Sequence, residues 1–153
     1  MRISFIALFC LIAVVLGCSL DKLRGVSYDF HGITEISYNE DTTRPDGSSW
    51  FNRDTFRSSG DVERTRKDVK AGGTVAEDAH THGHIAPEEF AKLTDAIIKN
   101  HFLSKPDLAG KKSRRYITVT SDKGTVSVDL DSGIDRDTAA VLIAISSVKA
   151  TFR

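Results

Sequence analysis

The sequence predicts an α+β domain: an antiparallel sheet with helices packed on one face and elements in the order β-β-β-α-β-β-α. Three observations lead there. A stretch of helical period, residues 85–102, is flanked on both sides by strand-like sequence. The flanking segments alternate apolar and polar residues and are joined by turn-forming clusters. A second apolar stripe of helical period closes the chain.

Residues 25–38 read as one or two strands. Val26, Tyr28 and Phe30 alternate, Gly32 interrupts as a bulge-forming residue, and Ile36 and Tyr38 resume the same parity. Arg44-Pro45-Asp46-Gly47 is a turn, because proline presets its φ and Asp-Gly favours the reversal that follows. A strand over 49–57 opens with Trp50 and Phe51, both expected to be buried in the sheet. Ser58-Ser59-Gly60-Asp61 then turns the chain into 62–69, where Glu63, Arg64, Arg66, Lys67 and Asp68 leave little to bury. That composition predicts an edge strand, since charge discourages pairing with another chain. Residues 70–83 carry Gly, Ala, Thr, Asp and His without a period and read as a loop.

The central helix is well marked. Pro87 suits the first helical position, where a backbone N–H has no partner to lose, and Glu88 and Glu89 put negative charge at the positive end of the helix dipole. Phe90, Leu93 and Ile97 form its apolar face, while Glu89, Lys92, Asp95 and Lys99 turn outward. Ser104-Lys105-Pro106-Asp107 stops it. A hairpin follows, with strands over 116–120 and 125–130 around Ser121-Asp122-Lys123-Gly124. In the last helix Leu142, Ile145, Val148 and Phe152 make the stripe, and Asp135 or Asp137 is the N-cap.

The 153 residues have room for one domain. Lys plus Arg and Asp plus Glu are equal at 21 each, and the only basic block is Lys111-Lys112-Ser113-Arg114-Arg115. The balance argues against a nucleic-acid partner, and the short block reads as a solvated strand start.

The N-terminus carries the most specific signal. Arg2 is followed by an almost unbroken apolar run over 3–16 and then by Gly17-Cys18-Ser19. The run is short for a membrane span, which needs about 20 residues, and it ends in a processing-like site, so a secretory signal is expected over 1–17. Val15-Leu16-Gly17-Cys18 resembles a bacterial lipobox, the motif at which a lipoprotein signal peptidase cuts before a diacylglyceryl-modified cysteine. The resemblance implies lipidation of Cys18 at its sulfur and at the new amino terminus, with residues 18–25 as a lipidated tether and 26–153 as the domain. More than one acyl chain is what makes such attachment stable. Cys10 lies in the removable segment, so the mature chain would hold a single cysteine and no internal disulfide. Ser19 is not the Asp that signals inner-membrane retention in some Gram-negative bacteria, which favours the outer membrane where there is one.

The order of elements, together with the helix start Gly83-His84-Ile85-Ala86-Pro87-Glu88-Glu89-Phe90 and the late helix and phenylalanine, resembles small uncharacterised bacterial envelope domains. That likeness implies no activity. The usual members carry a cysteine-and-proline segment early in the sheet, which is absent here.

Two constellations invite a chemical reading. His80-Thr81-His82-Gly83-His84, if extended, points three imidazoles to one side, and imidazole suits Zn, Cu and Ni. His31, His101, Glu77 or Asp78 would have to complete such a site, because a His-x-His loop alone holds metal weakly. Residues 129–137 look like a calcium loop, but Ile134 stands where an EF-hand needs glycine and Ala140 where it needs a bidentate glutamate, so strand exit and helix capping are expected. There is no Gly-x-Ser-x-Gly elbow and no Gly-x-x-x-x-Gly-Lys loop. The sequence therefore predicts a lipid-anchored envelope protein, not an enzyme, held to the membrane through Cys18. Its small domain would bind an envelope protein or ligand or play a structural part. The alternative is a Zn- or Cu-binding lipoprotein using His80, His82 and His84.

Overall fold

Turn chemistry lays out the sheet. In the computed structural model, which describes residues 27–108 and 113–152, four long strands follow one another as an antiparallel meander. They are β1 (Ile33–Thr43), β2 (Ser49–Arg57), β3 (Asp61–Val69) and β4 (Val75–His84). Helix α1 (Pro87–Lys99) and a 3-10 turn (Phe102–Ser104) lead to the hairpin of β5 (Arg115–Ser121) and β6 (Gly124–Asp129). Helix α2 (Arg136–Ser146) and a two-residue strand, β7 (Thr151–Phe152), complete the chain. The strand order is β6-β5-β1-β2-β3-β4-β7, antiparallel throughout. The α+β class is as expected; the order of elements gains β4 before the first helix and β7 at the end.

The turns work as their residues suggest. Asp46 Oδ1 accepts from the Ser48 backbone N–H at 2.9 Å and from its hydroxyl at 2.6 Å, and Arg44 N–H donates to Ser48 O at 2.8 Å. This closes β1 onto β2. Gly60, at φ +90°, lets the β2–β3 turn pass under the His84 ring, where an added Cβ would lie 2.3 Å from that ring. Gly32, at φ +73°, sits in a turn just before β1, and the bulge itself falls between Ile33 and Glu35.

One face of the sheet is apolar and covered. Ile36, Phe56, Val62, Ile117, Val119 and Val128 meet Phe90, Leu93 and Ile97 of α1 and Val141 and Ile145 of α2, with Ile33, Ile85, Phe102 and Leu130 closing the ends. Each such side chain contributes about 1.5–3 kcal/mol on burial before conformational entropy is charged. Phe30 extends the cluster edge-on against Phe90, ring centroids 5.0 Å apart. Asp135 caps α2 by accepting from Thr138 N–H at 2.7 Å.

Four expectations are corrected. Residues 70–83 are not a loop: 70–74 form a tight turn and Val75 onward pairs with β3 along its length. This strand is exposed on both faces over 75–78, so no apolar alternation announces it, and it is held chiefly by the backbone ladder to β3. As a result β3 is not an edge but lies between β2 and β4. Its charges find cross-strand partners: Arg64 with Asp54, Glu63 with Arg57 and Lys67 with Asp78. Third, β1 runs on to Thr43, through residues expected in the turn. Last, α2 ends at Ser146, so Val148 follows the helix and Phe152 belongs to β7. Trp50 and Phe51 are both half-buried, on opposite faces of β2.

Candidate functional site

The covered face does not stay apolar along its whole length. One rung of the sheet reads Val119, Ile36, Phe56 and Val62 across β5, β1, β2 and β3. The next rung on the same face reads Ile117, Tyr38, Asp54 and Arg64. The change marks where helix cover gives way to a cleft. The end of α2 and the segment after it overhang this second rung, so that Leu142, Ile143, Ile145, Val148 and Ala150 wall a cavity of about 630 Å³ floored by Tyr38, Asp54, Phe56 and Arg64. That size suits a small-molecule site, as does an apolar wall facing a few fixed polar groups.

The floor is pre-organised. Arg64 donates from Nε to Asp54 Oδ1 at 2.6 Å and from Nη2 to Oδ2 at 3.2 Å, a two-point pairing that fixes both side chains. The Tyr38 hydroxyl donates to Glu40 Oε2 at 3.1 Å. Burial, that hydrogen bond and the Glu40 charge push the phenol up to about 12, so it stays neutral. With its proton engaged by Glu40, the Tyr38 oxygen keeps acceptor capacity, and Tyr38 and Asp54 both line the cleft. Ser146 and Lys149 form the exposed rim.

The opposite face carries no helix and is mostly polar, with Phe51 and Tyr116 as half-buried aromatics in it. Arg57 ties β1 to β3, with Nε 3.0 Å from Glu35 Oε2 and Nη2 3.2 Å from Glu63 Oε2. Arg53 Nε donates to Asn39 Oδ1 at 2.7 Å, and Asn39 Nδ2 to Ser37 Oγ at 3.1 Å. Thr118 and Ser127 share a hydroxyl contact at 3.0 Å.

His80, His82 and His84 share this open face, since alternate residues of a strand point the same way. Alternate positions lie about 6.7 Å apart, so the three are spread over roughly 13 Å. His80 is engaged by Thr65 Oγ1 at 3.2 Å and Asp78 Oδ1 at 3.3 Å, and the His84 ring lies over Gly60. Glu77 sits on the other face of β4. His31 binds Asp29 and, through Nε2 at 3.1 Å, Asp95 of α1, and His101 occupies a left-handed position past α1. Among the described residues no group of three or more His, Cys, Asp or Glu side chains is arranged to hold a metal ion.

The acidic stretch 129–137 caps and ties backbone, as expected. Asp129 accepts from the Ser113 hydroxyl and from Asp131 N–H, which hold its carboxyl down at about 2. Asp131 accepts from Arg114 N–H and Arg115. Asp135 lies well below the usual carboxylate range, chiefly through Lys105 and then Thr138 N–H.

Cys18, the signal segment and the tether lie outside the described residues, as do Lys111 and Lys112. Among the described residues no helix is long and apolar enough to cross a membrane. Sequence reasoning missed the cleft because its floor comes from three strands, and alternation assigns a face but not a rung. Comparison with protein-family models, curated proteins and solved structures gives no match for this chain.

Proposed function

We propose that the chain is a lipid-anchored envelope protein whose α+β domain acts without catalysis, as a binding module for a small amphipathic ligand. The address rests on the lipobox-like Val15-Leu16-Gly17-Cys18. The binding role rests on one observation, the cleft in which an apolar wall from α2 faces the row Tyr38, Asp54 and Arg64. An apolar body lies against Leu142, Ile145 and Val148. Its polar end is a donor, an amine or a hydroxyl, set against Tyr38 and Asp54, with the Arg64 guanidinium of the same floor bound to Asp54 and Lys149 out at the rim. Proton transfer is a poor use for these groups: Tyr38 is held neutral and Asp54 is tied at two points to Arg64.

Titration of the full chain with a medium-chain alkylamine, followed by thermal shift, tests this reading, with the matched carboxylate as control. The amine raises the melting temperature and the carboxylate does not. Ser146→Trp changes an exposed rim position and fills the cleft, so it abolishes the amine effect without loss of fold. An equal response to both amphiphiles, or a response that survives Ser146→Trp, would refute the cleft as the site.

A further inference from the structure

The two edges of the sheet are treated differently. At the β6 edge the chain covers itself: Leu108 N–H donates to Ser127 O at 2.6 Å, and Asp107 Oδ1 accepts from Ser127 N–H at 2.7 Å. At the other edge, among the described residues, β4 pairs outward only at Gly83 and His84, with β7. The stretch before that is exposed and offers a row of backbone donors and acceptors, which is a template for another strand.

The sequence of this edge selects its occupant. Glu77 and Asp78 lie in its first half and His80, His82 and His84 in its second. When an antiparallel strand pairs with a copy of itself across a two-fold axis, a regular ladder requires one residue to face itself, because facing residues must both turn their hydrogen-bonding groups the same way. Centring on Asp78 sets carboxylate against carboxylate, and centring on His80 sets imidazole against imidazole. Centring on Ala79 sets Asp78 against His80 twice on the open face and Glu77 against the Thr81 hydroxyl twice on the other, in a ladder confined to 76–82 because β7 holds the places opposite Gly83 and His84. Ala79 against Ala79 is small enough to leave the centre free of steric conflict. Like charges directly opposite are destabilising and opposite ones stabilising, so this register is the one that the side chains favour.

We propose that the β4 edge is the interface of a homodimer, in which two copies pair antiparallel about Ala79 and join their sheets into one. In the dimer the His80 Nε2, 3.3 Å from Asp78 Oδ1 of its own chain, is shared with the facing carboxylate, whether or not the ring is protonated. Lys67, 3.8 Å from Asp78, lies beside the resulting cluster on the open face.

Oxidative cross-linking of the full chain carrying Ala79→Cys tests the register. Facing residues have Cα atoms about 4.5–5.5 Å apart, within disulfide reach. Glu77→Cys sets its own copy roughly 13 Å away and should cross-link no more than the parent chain, whose Cys10 and Cys18 give the background. Mixed Glu77→Cys and Thr81→Cys chains should cross-link to each other. In sedimentation, Asp78→Lys weakens the dimer about tenfold by converting two attractive pairs to repulsive ones, and the exchange Asp78→His with His80→Asp restores it. Equal cross-linking of Ala79→Cys and Glu77→Cys overturns the proposal. So does a chain that stays monomeric while a peptide of another sequence takes the edge, or an exchange variant that does not recover association.

Discussion

Two adjacent rungs of one sheet face do opposite work. Val119, Ile36, Phe56 and Val62 sit under the helices and form core, and two residues further along the same strands Tyr38, Asp54 and Arg64 floor a cleft. Backbone, twist and strand order are shared. What differs is the reach of α2: its buried Val141 and Ile145 seal the first rung, and its end overhangs the second without filling it. The lesson is that a polar rung on a covered face marks space, because a charged row under close-packed helices would lose hydration without return.

The comparison breaks most visibly on the apolar rung. Phe56→Ala should cost about 3–5 kcal/mol in denaturant unfolding, since the ring is 3% exposed and leaves a cavity that its neighbours cannot close. A loss under about 1 kcal/mol would mean that the two rungs are alike. At the nearby turn, Gly60→Ala should cost about 1–3 kcal/mol, because it combines a left-handed φ with overlap on the His84 ring.

On the polar rung the expected effect is smaller and of a different kind. Asp54→Asn should cost about 1–2 kcal/mol, because it weakens a charged two-point pairing that is only partly shielded from water. Replacing both partners, Asp54→Leu with Arg64→Met, should return most of that stability while abolishing amine binding in the cleft. Stability and binding then separate, which a purely structural ion pair would not show. On the helix-free face Arg57→Met should change stability by less than about 1 kcal/mol, because its pairs with Glu35 and Glu63 are more than a third exposed.

The acidic stretch gives the pH dependence. Asp129, held at about 2, and Asp135, held low by Lys105 and the Thr138 N–H, have folded values below those of the unfolded chain. Their contribution is therefore present above about pH 4, the ordinary carboxylate value, and is lost as pH falls toward 2. Melting temperature against pH should drop across that window, and the drop should be shallower in Asp135→Asn. An unchanged slope would mean that the cap is not coupled to folding.

How much of this was legible depended on what each element buries. The stripe Phe90, Leu93 and Ile97 announces α1 because a one-sided burial pattern leaves a period in the sequence, and Pro45-Asp46-Gly47 and the 121–124 turn set the hairpins by local chemistry. β4 left no period: with both faces wet, its pairing is a property of β3's free backbone, not of its own side chains. The charge on β3 made it look like an edge, and reading 70–83 as a loop left it no neighbour on that side. Tyr38, Asp54 and Arg64 lie on strands whose face is readable, but the rung on which they meet follows from register, which the two turn lengths decide.

The proposed address is tested most directly by the intact mass of the membrane-extracted protein from its native host, measured beside Cys18→Ala. A mature chain that begins at Cys18 and carries added acyl mass, absent from the variant, is the predicted result. An uncleaved or unacylated chain would contradict it and remove the membrane from the protein's function.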